Sequence, residues 1–335
     1  MKKSVKMADI AARFGVSNVT VSKALSGKDG VSEDLRNKII AAADEMGYHY
    51  GGIAKNQKSD KTYNIGVLIP ERFVERNNSF YWTLYNNTAH ELMNNNYYCI
   101  MELLKQEDED ACRLPKMLSE NKVDGVIVLG QIHNSYADVI TSQYSDILIF
   151  LDFYDKHRNI DTVLTDNFYD TYILADYLIQ MGHKKIGFIG SVNATSSIQD
   201  RFMGYLKAIV ENNFDYRKDW VIDDRDENGK TIEIVFPEEM PTAFVCNCDE
   251  TAYYAIRKLK ELGYSVPDDI SVVGFDNFLM SDICEPAITT VEVNMPEMAK
   301  MAVEMLIKKI NCKEYVQGRR LINGKLIIKD SVKKI

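Results

Sequence analysis

The first part of the chain repeats its apolar side chains with the period of an α-helix. They recur every three or four positions from Met7 to Phe14 and again from Val21 to Leu25, which places them on one face of each segment. Gly15 interrupts the pattern, and Ser17 stands where a side chain that caps a second helix is expected. The pattern predicts two short helices joined by a tight turn, a helix-turn-helix.

The outer face of the second predicted helix is polar. Its inward positions are aliphatic, which leaves Asn18, Val19, Ser22 and Lys23 outside. Amide, hydroxyl and ammonium groups suit base edges and phosphates. The pattern therefore favours a recognition helix that contacts DNA, with an ordinary amphipathic hairpin as the alternative.

A third amphipathic helix follows, and Ser32 can cap its start. Its apolar stripe consists of Leu35, Ile39, Ala42 and Met46. Residues 1–48 are thus predicted to form an all-α helix-turn-helix domain. The stretch 49–62 is polar, contains Gly51 and Gly52 and spaces three lysines, so it is predicted to be a hinge linker.

From Tyr63 onward, short apolar runs alternate with amphipathic segments. The run IGVLI at 65–69 is echoed by IGFIG at 186–190, so we expect an α/β body of two doubly wound parallel-sheet lobes. The expected lobes are about 63–164 with 292–320, and 165–291 with 321–335. We also expect a charged helix ending at Glu120 and a final strand pair between Arg320 and Ile328.

The net charge differs in sign between the N-terminal region and the rest of the chain. The chain carries a net charge of −9, yet residues 1–59 contain 10 Lys and Arg against 6 Asp and Glu, so this region is net +4 and the remainder is net −13. A basic head on an acidic body fits a small DNA-binding domain joined to a domain that does not bind DNA.

Several classes of protein are not expected. The 6 cysteines form no C-x-x-C pair, and Cys246 and Cys248 have no histidine neighbour to complete a zinc site. No catalytic constellation and no glycine-rich phosphate loop stands out, so we expect neither an enzyme nor a cofactor. No apolar run approaches the about 18 residues of a membrane span, and no secretion signal precedes the head, so the expected location is the cytoplasm.

The order of motifs resembles the lactose-repressor/galactose-repressor family of bacterial transcription factors. The resembling segments are MADIAARFGVSNVTVSKALSG at 7–27, IGVLIP at 65–70, VDGVIVLG at 123–130, MGHKKIGFIG at 181–190, DRFMGYLKAI at 200–209 and SVPDDISVVGFDN at 265–277. The resemblance implies a periplasmic-binding-protein-like body and a homodimeric repressor. Its affinity for double-stranded operator DNA would depend on a small effector, a mono- or oligosaccharide, that acts as inducer or co-repressor. The alternative, a solute-binding protein for sugar transport, does not explain the head.

The resemblance also assigns DNA contacts. Asn18 and Val19 match the variable base-reading positions, while Thr20 and Ser22 match phosphate contacts beside Ser17. Lys23 would reach either guanine or phosphate. In the linker, a hinge helix would include Ile53, Lys55 and Gln57. Because Gln57 replaces the leucine that usually wedges into the minor groove, we expect weaker bending of the operator.

Ligand contacts are implied at the cleft between the lobes. The matched positions are Phe80, Tyr81, Asp152, Phe153, Arg201, Cys248 and Asp276. A guanidinium fork and a carboxylate hold hydroxyl groups well, and aromatic faces stack on sugar rings, so a polyhydroxylated ligand is favoured over a purine. In the loop after Trp220, Arg225 or Asp226 stands where many relatives carry an aromatic residue. The alternatives are an Arg201 paired with Asp200 on a helix surface, core positions for Phe80 and Tyr81, and a capping role for Asp276. A chain that stops soon after Ser331 without a heptad tail predicts a dimer rather than a tetramer.

Overall fold

The computed structural model describes residues 7–25, 28–46, 61–74, 80–226, 229–312 and 315–335. The chain forms two compact units, which divide between Lys61 and Thr62. Within the described residues, no helix combines the length and the apolar character needed to cross a membrane.

The first unit contains three helices, α1 (Met7–Phe14), α2 (Asn18–Leu25) and α3 (Glu33–Glu45). Their buried apolar core consists of Ile10, Ala11, Val21, Ala24, Leu25, Ile39 and Ala43. Gly15 adopts a φ of 62° in the turn after α1, a conformation in which a glycine carries no steric cost. The predicted helix-turn-helix is therefore present.

The second unit alternates strands and helices. Its strands are β1 (Asn64–Pro70), β2 (Tyr98–Leu104), β3 (Gly125–Leu129), β4 (Leu148–Leu151), β5 (Thr162–Thr165), β6 (Ile186–Ile189), β7 (Val221–Ile222), β8 (Ala243–Cys246), β9 (Ser271–Val273), β10 (Thr290–Glu292), β11 (Arg319–Ile322) and β12 (Lys325–Ile327). Its helices are α4 (Phe80–Asn94), α5 (Gln106–Asp110), α6 (Lys116–Ser119), α7 (Asn134–Tyr144), α8 (Asn167–Gln180), α9 (Ser196–Glu211), α10 (Asp249–Glu261), α11 (Leu279–Ile283) and α12 (Met295–Asn311).

Ten of the twelve described strands form two parallel sheets, one in each lobe, and β10 and β12 form a separate antiparallel pair. The first has the order β11-β5-β4-β3-β1-β2, and the second has the order β7-β6-β8-β9. The inner strands of the first sheet, β3, β4 and β5, are buried along their whole length, because helices cover both faces of a parallel sheet. The predicted α/β body is thus present, and the carboxyl ends of both sheets are available for a site.

Two of the expected elements are wrong. The segment from Arg320 to Ile328 is not a strand pair, since β11 pairs parallel with β5 whereas β12 pairs antiparallel with β10. Gly324 lies between the two strands, and its backbone N–H donates to Asp170 at 2.8 Å. The chain therefore stays in the first sheet as far as Ile322. The charged helix before Glu120 is also interrupted, because Pro115 disfavours helical backbone at the residue before it and begins α6 instead.

Candidate functional site

The surface of α2 presents the side chains that the sequence assigns to DNA. Asn18, Val19 and Lys23 are exposed, and Thr20 and Ser22 are half-buried. Val19 is an aliphatic side chain that is 64% exposed, although the opposite face of α2 lies in the core. An apolar side chain left in water on a polar helix face is available for contact with a partner such as a thymine methyl group.

Ser17 determines how α2 begins. Its Oγ accepts the backbone N–H of Thr20 at 3.1 Å and lies 2.9 Å from the Thr20 hydroxyl. This is an N-cap, and it satisfies one donor that the first turn would otherwise leave open. The assigned linker residues Ile53, Lys55 and Gln57 lie outside the described residues.

In the second unit, polar side chains gather where strands of both sheets end. Asp152 follows β4 in the first lobe. Asp224 follows β7, Asn247 follows β8 and Asp276 follows β9 in the second lobe. Helix α9 adds Arg201 from the second lobe. The resulting cleft lies at the carboxyl ends of the parallel strands, where open α/β sheets bind ligands.

Arg201 is held in place by contacts from three elements. Its Nε donates to Asn167 Oδ1 at 2.7 Å, one terminal nitrogen donates to the Asn247 carbonyl at 2.5 Å, and the other lies 3.5 Å from Asp276 Oδ1. The guanidinium carbon lies 3.8 Å from the centre of the Phe275 ring. Arg201 is only 6% exposed, so the alternative of a surface residue paired with Asp200 is wrong.

Asp152 and Asp276 both adopt left-handed backbone, with φ of 69° and 111°. Such conformations cost about 1–3 kcal/mol each for residues other than glycine and persist where the surroundings impose them, often at binding sites. Asp276 does not cap the next helix, because α11 is preceded by Phe278 at its N-cap. The backbone that follows β4 and β9 therefore sets the positions of the two carboxylates.

Burial perturbs both acids. It raises the pKa of Asp276 to about 7 against the opposing charge of Arg201, and the carboxylate of Asp152 contributes to the increase. It also raises the pKa of Asp152 to about 6, although Arg201 and a hydrogen bond from Tyr81 lower it. Because a low-dielectric site disfavours charge, a ligand that donates a hydrogen bond to either carboxylate stabilises its ionised form.

The second lobe contains a hydrogen-bonded cluster that sequence reasoning missed. Asp224 accepts the backbone N–H of Ser191 at 2.9 Å, the Thr251 hydroxyl at 2.8 Å and the Asn247 amide at 2.6 Å. Arg225 adds two bonds, at 3.0 and 2.7 Å. Burial opposes ionisation of Asp224, but these donors together lower its pKa to about 2. The available signal was Asn247, a polar residue directly after the buried strand β8.

The remaining assigned residues divide between the cleft and the core. Tyr81 is half-buried, lies in T-shaped contact with Phe80 and stacks on Phe73 at 4.4 Å between ring centres. Cys248 is half-buried at the start of α10, and burial raises its pKa to about 11. Phe153 is a core residue, because it is 1% exposed and stacks on Phe150.

Hydrogen bonds join the two lobes beside the cleft. The Ser197 hydroxyl donates to the Asp152 carbonyl at 3.0 Å, and the Tyr154 hydroxyl donates to Asp200 at 2.9 Å. Among the residues that the structure describes, no group of three or more His, Cys, Asp or Glu side chains is placed to hold a metal ion. The arrangement can bind a polar molecule between donors and acceptors from both lobes.

Comparison with known proteins identifies the two units. Residues 6–50 match the model of bacterial regulatory proteins of the lacI family, and residues 175–332 match a periplasmic binding protein-like domain. The chain is 30% identical over 330 residues to the NTD biosynthesis operon regulator NtdR of Bacillus subtilis (strain 168), a match that covers 96% of this chain and 98% of that protein. The chain belongs to the lacI family.

Further relatives and solved structures agree with this assignment. The repressor PurR of Photobacterium profundum is 27% identical over 97% of this chain and 98% of its own length. The lac repressor dimer bound to operator and the anti-inducer ONPF shares the fold with a TM-score of 0.74, at 21% identity over 99% of this chain and 100% of that one. The prediction that this lacI-family protein is a DNA-binding transcriptional regulator and not an enzyme is confirmed.

Proposed function

We propose that this lacI-family protein is a homodimeric repressor whose affinity for its operator is controlled by a small polyhydroxylated effector, a sugar. The observation that carries the proposal is the pairing of Arg201 with Asp276 at the cleft. Only three of the five N–H groups of Arg201 are engaged by described residues. The fork and the carboxylate together offer both donors and acceptors to the hydroxyl groups of a ligand.

The chemistry of the cleft favours a polyol over a flat base. Its polar groups are two guanidiniums, three carboxylates, an amide and a tyrosine hydroxyl, whereas the exposed aromatic surface is limited by the packing of Tyr81 on Phe73. A structural relative of known ligand, the regulator CelR in complex with cellobiose, shares the fold with a TM-score of 0.69 at 20% identity, over 98% of this chain and 99% of that one. Its ligand supports the same class of effector here.

Effector and operator need not touch. An effector that binds one arrangement of the two lobes better than another shifts the equilibrium between them, and a coupling of about 1–3 kcal/mol changes DNA affinity about 5- to 150-fold. The hydrogen bonds from Ser197 and Tyr154 across the lobes are the contacts that such a shift would change.

The ligand arm of the proposal is tested by fluorescence anisotropy. The full-length protein is titrated onto labelled DNA from upstream of its own gene, with and without a panel of mono- and disaccharides. We expect at least one sugar to change the dissociation constant about tenfold or more. Arg201→Lys should abolish that change. Lys207→Arg should preserve it, because Lys207 lies on the same helix but forms an exposed ion pair with Glu211. An operator affinity that no sugar alters contradicts the proposal.

The DNA arm depends on the exposed face of α2. Asn18→Ala should weaken operator binding by about 1–3 kcal/mol if its amide contacts a base. Asn37→Ala is the matched control, because Asn37 is an exposed asparagine on α3 of the same unit. Equal affinities for the two variants would remove Asn18 from the proposed set of base contacts.

The dimer is supported by apolar side chains at one edge of the first sheet. Strand β2 is an edge strand, and its Tyr98 and Leu103, with Trp82 and Met93 of α4, are exposed. Exposed apolar surface of this kind marks protein interfaces. Size-exclusion chromatography with light scattering should give a dimer mass, and a monomer or a stable tetramer would contradict this part of the proposal.

A further inference from the structure

Asp152 is a buried carboxylate with an unused oxygen. The residue is 4% exposed, and its Oδ1 has no hydrogen-bond partner among the described residues. This carboxylate interacts electrostatically with Tyr81, Arg201 and Asp276, all of which belong to the cleft, so it faces the cleft rather than the core. Buried polar atoms in folded proteins are almost always paired, and an unpaired one in a cleft indicates a missing ligand atom.

Each guanidinium of the cleft already has a carboxylate partner. Arg225 makes a two-point ion pair with Asp224, and the terminal nitrogen of Arg201 nearest a carboxylate lies 3.5 Å from Asp276. No described cation lies within ion-pair distance of Asp152. Asp152, Asp224 and Asp276 thus outnumber the two guanidinium groups of the cleft by one.

Burying a carboxylate without a cation is costly, and a neutral hydroxyl compensates only part of that cost. A protonated amine supplies both a donor for Oδ1 and the missing positive charge, and such charge-assisted bonds are about twice as strong as neutral ones. An effector with a phosphate or a carboxylate would instead face Asp152 and Asp276 together.

We propose that the effector carries a protonated amine and that Asp152 binds it, so that the natural ligand class is amino sugars. The hydroxyl groups would be held by Arg201 and Asp276. This inference rests on the proposed function, in which the cleft holds a polyhydroxylated effector, and it adds the charge of that effector.

The test compares sugars that differ at one position, where they carry a hydroxyl, a charged amine or a neutral acetamide. Isothermal titration of the full-length protein at pH 7 uses glucose, its 2-, 3- and 6-amino derivatives and the N-acetylated form of each amine, with the same series built on galactose. At least one amine should bind about tenfold or more tightly than both its parent hexose and its N-acetyl form. The N-acetyl form keeps the nitrogen but removes the charge, so this comparison requires no variant.

Variants then assign the charge to its partner. Asp152→Asn keeps the shape of the side chain and should reduce the affinity for the amine about tenfold or more, with little change for the parent hexose. Asp146→Asn, an exposed aspartate in the same lobe, should leave both affinities unchanged. Circular dichroism of both variants checks that they fold.

The other outcomes separate the proposed amine from the proposed polyhydroxylated effector. A parent hexose or N-acetyl sugar that binds as tightly as the amine overturns the inference and leaves the polyol proposal standing. A preference for the amine that survives Asp152→Asn overturns the role of Asp152. If neither charged nor neutral sugars bind, both the inference and the proposed effector class are overturned.

Discussion

The ammonium of Lys309 donates to the carboxylate of Asp161 across 2.8 Å, although 148 residues separate the two in the chain. Both residues are buried. Asp161 also accepts the backbone N–H groups of Gln317 at 2.8 Å and Gly318 at 2.7 Å. The Asp161 carboxylate therefore joins α12 and the residues just before β11 to the loop that precedes β5. These contacts hold β11 beside β5 at the edge of the first sheet.

Removing the cation should destabilise the body strongly. Lys309→Met leaves a buried carboxylate without its ion pair, for which we expect a loss of about 3–5 kcal/mol in the free energy of unfolding. Urea unfolding of the full chain, followed by circular dichroism, measures this loss. Lys300→Met on the same helix is the control, since its partner Glu297 is 3.9 Å away and both side chains are exposed. That control should change stability by about 0.5 kcal/mol or less, and equal losses would contradict the argument.

The N-cap of the recognition helix offers a local test. Ser17→Ala removes the oxygen that accepts the Thr20 N–H, so the first turn of α2 should lose about 1 kcal/mol of stability. Hydrogen exchange of the α2 amides in the full-length protein measures this directly. Ser22→Ala on the same helix does not alter the cap and should leave exchange at the start of α2 unchanged. Equal protection in both variants would show that the cap does not stabilise the helix.

Local signals explain which elements the sequence predicts. The helices of the first unit follow from the 3.6-residue period, Gly15 and the Ser17 cap, all of which act within a few residues. Continuous apolar runs such as 65–69 predict buried parallel strands for the same reason. The segment 320–328 shows the limit. Asn323-Gly324 is a strong hairpin signal, yet its flanking strands pair with β5 and β10, and no local pattern encodes those distant partners.

The cleft likewise combines residues that local motifs predict with residues that only the folded chain brings together. Arg201 and Asp276 stand in sequence motifs, and the structure brings them within 3.5 Å. Asp224 and Asn247 were missed because their roles depend on each other and on Arg225, which come together only when β7 and β8 are placed on either side of β6. Phe153 follows a strand in the same manner as Asp152, but alternation along the chain turns it into the core.

Gly204 should resist substitution, although it lies inside a helix. Alanine normally stabilises a helix by about 1 kcal/mol relative to glycine. At Gly204 of α9, however, an added Cβ would overlap the backbone carbonyl of Phe168 on α8. Because backbone cannot move aside as a side chain can, Gly204→Ala should destabilise the body by about 1–3 kcal/mol. Thermal or urea unfolding measures the change, with exposed Met203→Ala on the same helix as the control. An increase in stability would show that the two helices separate without cost.

The ionisation of Asp224 should make stability depend on pH. Its folded pKa is about 2, below the value of about 3.9 for an unfolded aspartate. Below that value the unfolded chain binds more protons than the folded chain, so stability falls with falling pH. The ionised carboxylate should therefore contribute about 2 kcal/mol above about pH 5 and lose that contribution between about pH 4 and 2.

Asp224→Asn removes this titration and leaves Arg225 without its ion pair. The difference in the free energy of unfolding between the wild-type chain and the variant should be constant from about pH 7 to 5 and should shrink as the pH falls towards 3. Urea unfolding of both proteins at each pH measures it. Exposed Asp146→Asn should show no such trend relative to wild type. A difference that stays constant down to pH 3 would mean that Asp224 acts in the cluster through its shape and hydrogen bonds rather than through its charge.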